Sequence, residues 1–370
     1  MTDDAASPTD EAVTDEAVTD EAVTGEAVRG MVAEIRPDWT VEAVERSPHG
    51  TDFVATLDVR TPEGPRSVVL KAMTADLVDP PIARAESRLF EFVGRETSIQ
   101  VPTVFGYCDA HEAYPAPFYL VERADGANLE DAPESLPSAA RERVVRDAGR
   151  NLAELHELGP LPAVGSVGVA DGELTVLDTD DNPRADDFRD RLLEDYEETL
   201  DALAEGGYFP DLADDPERFA DLVAPVREYL REAIPALPES DPPTYNHWDY
   251  RYGNLLLDPE TGETSAVLDW ANLSAADPAY NLAKVEFNLL KPVRGDPDRA
   301  AELREAFRST YADSREGWAF DESTRERMDL YRLVDRLDAM ACLPLWYEDA
   351  TPGERDERAA EHRAFVERYL

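Results

Sequence analysis

Lysine is nearly absent from this chain: Lys71, Lys284 and Lys291 are the only three among 36 basic residues, which face 81 acidic ones. With a formal net charge of −45 there is no basic stripe to neutralise phosphates, which excludes nucleic acid as a partner. Two cysteines, Cys108 and Cys342, cannot build a disulfide framework. No apolar run is long enough to cross a membrane, and the N-terminus is acidic where a secretory leader is basic and then apolar. The expectation is a cytoplasmic protein. Several chemistries fall away with their motifs. No Gly-Lys dipeptide exists for a Walker-type P-loop, no G-x-G-x-x-G follows a strand, and no G-x-S-x-G offers an esterase nucleophile. The five histidines (His49, His111, His156, His247, His362) form no H-E-x-x-H, and no cysteine pair supports zinc.

What remains is acidic but not unfoldable. Hydrophobic residues make up 42% of the chain, with Trp, Tyr and Phe spread along it, so a packed core is expected rather than disorder. Acid excess with so little lysine suggests adaptation to high salt, where a strongly charged surface stays hydrated. Residues 10–28 repeat D-E-A-V-T with a period of five. That period puts successive valines about 140° apart on a helix and on alternating faces of a strand. Neither geometry makes one apolar face, so residues 1–26 are expected to be a disordered acidic tail.

After a short helix over Ala27–Ile35, three strands are predicted at Val41–Glu45, Asp52–Val59 and Ser67–Met73, joined by turns at Ser47–Thr51 and Gly64-Pro65. The third strand carries Lys71 among apolar neighbours, and a half-buried ammonium needs a partner. A helix over about Ile82–Arg95 offers Glu86; that pairing would leave Lys71 to contact nucleotide phosphates. Two further strands, Val101–Tyr107 and Pro117–Glu122, lead to a polar exit at Arg123–Gly126 where the composition turns helical. The hinge between an N-terminal lobe (27–124) and a C-terminal lobe (125–370) is placed there, with backbone groups near Glu122 and Ala124 available to a purine edge. Helices are predicted at 138–158, 186–205, 216–234, to about Leu290, and at 298–312, 322–342 and 353–368.

The stretch from Asn246 to Trp270 carries the chemistry. It holds Asp249, then Asn254, the apolar run Leu255–Leu257, a turn at Asp258–Gly262, a second apolar run Ala266–Leu268, and Asp269. A hairpin bringing Asn254 and Asp269 to one end, just after Asp249, suits phosphoryl transfer. Asp249 would orient or deprotonate a hydroxyl, and Asn254 and Asp269 would hold Mg²⁺ against the phosphates of ATP or GTP. The same Asp-x4-Asn spacing recurs at Asp241 and Asn246, but without the hairpin. Arg251 is placed to neutralise charge on a transferred phosphoryl group. Asp277 before Pro278 reads as a helix N-cap.

These residues resemble the aminoglycoside phosphotransferase family, over about residues 27–350. The resemblance rests on His247-Trp248-Asp249, Asn254, Leu268-Asp269-Trp270, Asp277-Pro278-Ala279-Tyr280-Asn281-Leu282-Ala283, the Lys71 and Glu86 pair, and Leu155-His156 at a helix end. It implies an α+β, bilobal, protein-kinase-like fold: an antiparallel sheet lobe with one main helix, and a larger, mostly helical lobe. It implies a small-molecule kinase in which Asp249 positions the acceptor hydroxyl and Asn254 and Asp269 bind Mg²⁺. Lys71 would bind the α- and β-phosphates, Glu86 would hold Lys71, His247 would brace the catalytic loop, and the loop near Gly50 would cover the phosphates. The family usually has Gly at Trp248 and Asp at Asn281, and often His-Pro at Arg251-Tyr252. A small-molecule acceptor is expected over 186–210 and 322–347, with Tyr196, Tyr208, Trp346 and Tyr347 as candidate walls; the sequence does not fix the oligomeric state, and a monomer is favoured. The alternative is a catalytically silent nucleotide-binding module.

Overall fold

The computed structural model describes residues 23–47, 52–75, 78–271 and 273–370. The expected tail over 1–26 falls mostly outside the described residues, and Gly50 lies outside them too. Contacts group the chain into two units, Met1–Ser87 with Thr103–Arg123, and Arg88–Pro102 with Ala124–Leu370.

The first unit is built on a five-stranded antiparallel sheet. Helix α1 (Gly25–Ile35) starts where the Thr24 side chain accepts from the Ala27 N–H. The strands are β1 (Thr40–Arg46), β2 (Phe53–Thr61), β3 (Gly64–Ala72), β4 (Val104–Cys108) and β5 (Phe118–Glu122), in the order β1-β2-β3-β5-β4. Alternation makes the core: Phe53, Ala55, Leu57 and Val59 of β2 are buried, together with Val68, Leu70 and Ala72 of β3. Val28, Met31 and Val32 of α1 complete that cluster. Each large aliphatic side chain so buried contributes about 2 kcal/mol, which fixes the register of β3. Lys71 therefore lies opposite Val54 on one side and Tyr119 on the other. Helix α2 (Ala85–Glu96) follows a separate helical turn at Pro80–Ala83, so the helix predicted from Ile82 is interrupted at Arg84.

The second unit is mostly helical. Helix α3 (Ser138–Glu157) buries the predicted stripe Val144, Val145, Ala148, Leu152 and Leu155. The other long helices are α4 (Phe188–Ala204), α5 (Ala220–Ala236), α6 (Pro278–Leu289), α7 (Pro297–Ser314), α8 (Glu322–Ala341) and α9 (Pro352–Val366). Acidic residues start several of them: Asp187, Asp277, Asp296 and Asp321 each accept a backbone N–H of the first turn. The strands are β6 (Gly165–Ala170), β7 (Glu173–Val176), β8 (Thr244–Asn246), β9 (Leu255–Leu257), β10 (Thr264–Val267) and β11 (Ser274–Ala276). β9 and β10 form the predicted hairpin. The other four make a sheet ordered β7-β6-β11-β8, which the sequence did not foretell.

Gly149 on α3 marks a close helix crossing, because a Cβ there would lie 2.6 Å from the Phe307 carbonyl oxygen of α7. Gly149→Ala should lower stability by about 2 kcal/mol, since a backbone carbonyl has no rotamer to retreat into. Chemical denaturation tests this; a stability gain of the kind expected at an exposed helix glycine would contradict it.

Candidate active site

In the first unit, the Lys71 ammonium lies 2.7 Å from a Glu86 carboxylate oxygen. Glu86 is buried at 3% exposure, and Lys71 is the partner that such a buried carboxylate needs. The pairing expected from sequence is present. Glu122 ends β5, and its N–H donates to the Thr103 carbonyl at 2.8 Å, so that donor is already engaged. Ala124 opens the second unit, beyond the strand.

In the second unit, the loop after β8 holds Asp249. One of its carboxylate oxygens accepts from Arg251 Nε at 2.9 Å, the other from Asn254 Nδ2 at 2.8 Å. Arg251 also reaches Glu130 at 2.6 Å, a partner that sequence reasoning missed because it lies far off in the chain. Gly253 makes room for this contact: a Cβ there would lie 2.4 Å from Arg251 Nη1 and 2.5 Å from Glu130 Oε2. Arg251 is therefore held against Asp249, where the sequence reading aimed it at a phosphoryl group.

The Asn254 carbonyl accepts the Leu268 N–H at 2.8 Å, and the His247 ring donates from Nε2 to the Leu268 carbonyl at 3.0 Å. Asp269 is thus the next residue after a backbone segment tied to both His247 and Asn254. Its φ of 58° lies in the left-handed region, a strained choice for a non-glycine residue. Trp270 secures the same turn by donating from Nε1 to the Val267 carbonyl at 2.9 Å.

His247 is fixed from behind by Asn281. The carboxamide accepts the His247 N–H at 3.1 Å and donates to the His247 carbonyl at 2.9 Å. Its oxygen also lies 3.1 Å from His156 Nε2. That oxygen can only accept, so His156 carries its proton on Nε2 and accepts at Nδ1 from the Tyr311 hydroxyl, 2.8 Å away. His156 is neutral: burial, then the charge of Arg315, pushes it down to about 3. Asp277, expected as support, is fully buried and caps α6 through the Ala279 N–H at 3.0 Å. It also accepts from Tyr331 at 2.8 Å and lies 2.9 Å from Arg327. The competing Asp-x4-Asn pair does other work. Asp241 binds Arg327, and Asn246 donates to the Thr244 and Ala276 carbonyls from a wholly buried position.

The donor chemistry suits Mg²⁺. Asn254 Nδ2 is committed to Asp249, which leaves its oxygen as the acceptor, and Asp269 adds a carboxylate. Two hard oxygen donors, completed by phosphate and water oxygens, are what this ion takes. Among the described residues no cluster of three or more His, Cys, Asp or Glu could hold a metal, so these two are not part of a larger all-protein cage.

Trp248 lines a cavity of about 320 Å³ in the second unit, walled by segments within 186–210 and 322–347. Of the four aromatic side chains expected there, Tyr208 lines it. Tyr196 is fully buried elsewhere, and Trp346 is 59% exposed. The sequence missed Lys284, whose ammonium sits over the Trp248 ring at 5.0 Å and binds Asp335 at 2.7 Å. Burial opposes its charge, but Asp335 and Asp338 outweigh this and hold it protonated. Asp195 and Asp338 on the same walls are raised above the usual carboxylate range by desolvation.

A family model described as the phosphotransferase enzyme family matches residues 48–322, about three quarters of the chain. The chain belongs to that family. Its fold is similar to that of the GDP complex of aminoglycoside 2′-phosphotransferase-IIIa (TM-score 0.57, 13% identity, 94% of this chain and 98% of that one). It is also similar to an aminoglycoside phosphotransferase homologue from Ralstonia eutropha JMP134 (0.58, 16%, 94% and 98%). A third similar structure is a microcompartment-associated aminopropanol kinase (0.56, 19%, 92% and 97%). At these identities the likeness speaks for the fold, which is the kinase-like α+β fold expected from the sequence. A curated relative, acyl-CoA dehydrogenase family member 10 of Mus musculus, is 25% identical over 209 residues, 55% of this chain but 17% of that protein.

Asn281→Asp tests the brace. A carboxylate cannot donate to the His247 carbonyl, so the variant should lose about 2 kcal/mol at pH 8. The sign with pH follows from His156. Its folded value lies below its ordinary 6.5, so in the parent this group's contribution is intact above pH 6.5 and is lost as pH falls toward 3. A carboxylate at 281 would favour protonated His156, so the variant's deficit should shrink between pH 8 and pH 6. Denaturation at both pH values checks this; a deficit independent of pH would contradict the coupling of His156 to position 281.

Proposed function

We propose that the protein transfers the γ-phosphoryl group of ATP or GTP to a hydroxyl of a small polar acceptor. The observation that carries this reading is Asp249: both carboxylate oxygens are fixed, by Arg251 and Asn254, and the Asn254 backbone is tied to the segment leading into Asp269. A carboxylate so held is oriented to accept a proton from a hydroxyl placed against it. The acceptor hydroxyl would donate to Asp249 as its oxygen bonds to the γ-phosphorus. The bond from that phosphorus to the bridging oxygen breaks, and the nucleoside diphosphate leaves with the electron pair.

Asn254 and Asp269 would hold Mg²⁺, which when bound neutralises phosphate charge. Lys71, steadied by Glu86, would bind the α- and β-phosphates, within a first unit that serves as the nucleotide-binding lobe. His247 acts as a brace through its backbone and ring, and Asp277 as support beneath it. Arg251 acts on Asp249, holding the carboxylate in its orientation. The acceptor would enter the cavity beside Trp248. Asp195, Glu198, Asp335 and Asp338 outnumber Arg191 and Lys284 on its walls, which favours an acceptor that donates hydrogen bonds or carries an amine. Amines are common to the aminoglycoside and aminopropanol kinases whose folds this one shares.

Nucleotide consumption with Mg²⁺ in molar KCl, against pooled amino alcohols and polyols, tests this. Asp249→Ala should lower acceptor-dependent turnover by about 10³-fold while leaving nucleotide binding within a few-fold. Lys71→Ala should instead weaken nucleotide binding. Binding without turnover in every pool, or full turnover in Asp249→Ala, would overturn the reading.

A further inference from the structure

Among the described residues, seven large hydrophobic side chains are exposed, and four of them fall in two short segments: Tyr208 and Phe209 after α4, and Leu345 and Trp346 after α8. The fold brings these segments together. The Tyr208 N–H donates to the Ala341 carbonyl at 2.9 Å, and the turn at Pro210–Leu212 packs against the helical turn Leu343–Trp346. Gly207 permits the approach: its φ is 100°, and a Cβ there would lie 2.4 Å from the Ala341 carbonyl oxygen. Single exposed apolar residues need no explanation, but a patch of them on so acidic a chain marks a surface that something covers.

Tyr208 joins this patch to the cavity beside Trp248, where it shares the wall with Asp338. Its hydroxyl lies 2.7 Å from the Thr199 hydroxyl, and burial raises it above the usual phenol range, so the part of Tyr208 that meets solvent is the ring. Asp338 is the cavity carboxylate with charge to spare. Asp195 pairs with Arg191 at 2.8 Å and Asp335 with Lys284 at 2.7 Å, while Asp338 lies 4.0 Å from Lys284. A charged anchor and an apolar surface thus meet at Tyr208. Trp248 directly precedes Asp249, which puts the reacting hydroxyl of an acceptor on the Trp248 side of the cavity.

Four side chains are few for a protein partner, since a stable interface takes roughly 20–30 residues a side. The flanking Asp211 and Glu348 are exposed acids, which oppose a second copy of a chain with a net charge of −45. Both features suit a ligand arm. We propose that the acceptor is amphiphilic: an amine-bearing polar head in the cavity, and an apolar arm that leaves past Tyr208 and lies on Phe209, Leu345 and Trp346. This rests on the kinase reading of the cavity and extends it to the class of acceptor.

The test is calorimetric titration of the full chain, in molar KCl, with N-alkyl ethanolamines carrying methyl, butyl or octyl chains, each below its micellar concentration. Each methylene on the patch should tighten binding about twofold, because an open surface covers a chain on one side only and full burial gives about fourfold. The octyl compound should therefore bind at least ~10-fold more tightly than the methyl compound. Phe209→Ser and Trp346→Ser are combined; both residues are exposed, which favours retention of the fold. The double variant should bring the octyl-to-methyl affinity ratio to within about threefold. Equal affinity along the series, no saturable octyl binding, or an octyl preference that the double variant keeps would each overturn the proposal. A dimer that the double variant dissociates, without chain-length preference, would make the patch an interface between copies and defeat it as well. Turnover of the same series separates this proposal from the reading beneath it. Phosphorylation of every member with equal KM sinks the amphiphile and leaves the kinase. Octyl-selective binding, lost in the double variant, with no phosphorylation sinks the kinase and leaves the amphiphile site.

Discussion

The Asn281 carboxamide bonds both backbone groups of His247, donor to carbonyl and acceptor to amide. This pair is fully buried, so each bond is worth more than at a surface and each loss would leave an unpaired group. From it the rest follows in short steps. His247 reaches the Leu268 carbonyl, Leu268 reaches the Asn254 carbonyl, and Asn254 reaches Asp249. Two carboxylates twenty residues apart in the chain are thus carried on one hydrogen-bonded loop pair. The strain at Asp269, with its positive φ, is supported by these neighbours and by Trp270.

Charge is distributed with equal economy. Two of the three lysines bind carboxylates inside the fold, Lys71 with Glu86 and Lys284 with Asp335. Arg251 joins Asp249 to Glu130, and Arg327 joins Asp277 to Asp241. Where acids dominate so strongly, a cation in the interior stands out as the partner that offsets the cost of burying a carboxylate. Arg294, Arg336 and Arg368 depart from that pattern, since these cations stack on the Phe287 and Phe365 rings rather than meeting acids.

Much of this was legible in the sequence, for identifiable reasons. The first sheet showed itself through alternation in β2 and β3, and Lys71 because an ammonium in an apolar strand demands a partner close by. The hairpin from Leu255 to Val267 stood out because two apolar runs flank an Asp-Pro-x-x-Gly turn. The β7-β6-β11-β8 sheet did not, because its strands have three to six residues and β11 inserts between strands distant in the chain. Glu130, Lys284 and Asp335 were invisible for a related reason. Charged residues on helices and loops look solvated until the tertiary fold brings them to Arg251 and Trp248. Asn281 was read as a lost acid, and only the geometry gives its amide nitrogen a purpose.

The central claim is that the Asp249 and Asp269 loops form one braced unit in the resting protein. Native-state hydrogen exchange at the His247, Asn254 and Leu268 amides tests it most directly, because each of these N–H groups donates within the brace or the loop it supports. The account predicts that the His247 and Leu268 amides exchange as slowly as the core of α3. Exchange at the rate of exposed turns, with α3 still protected, would contradict it.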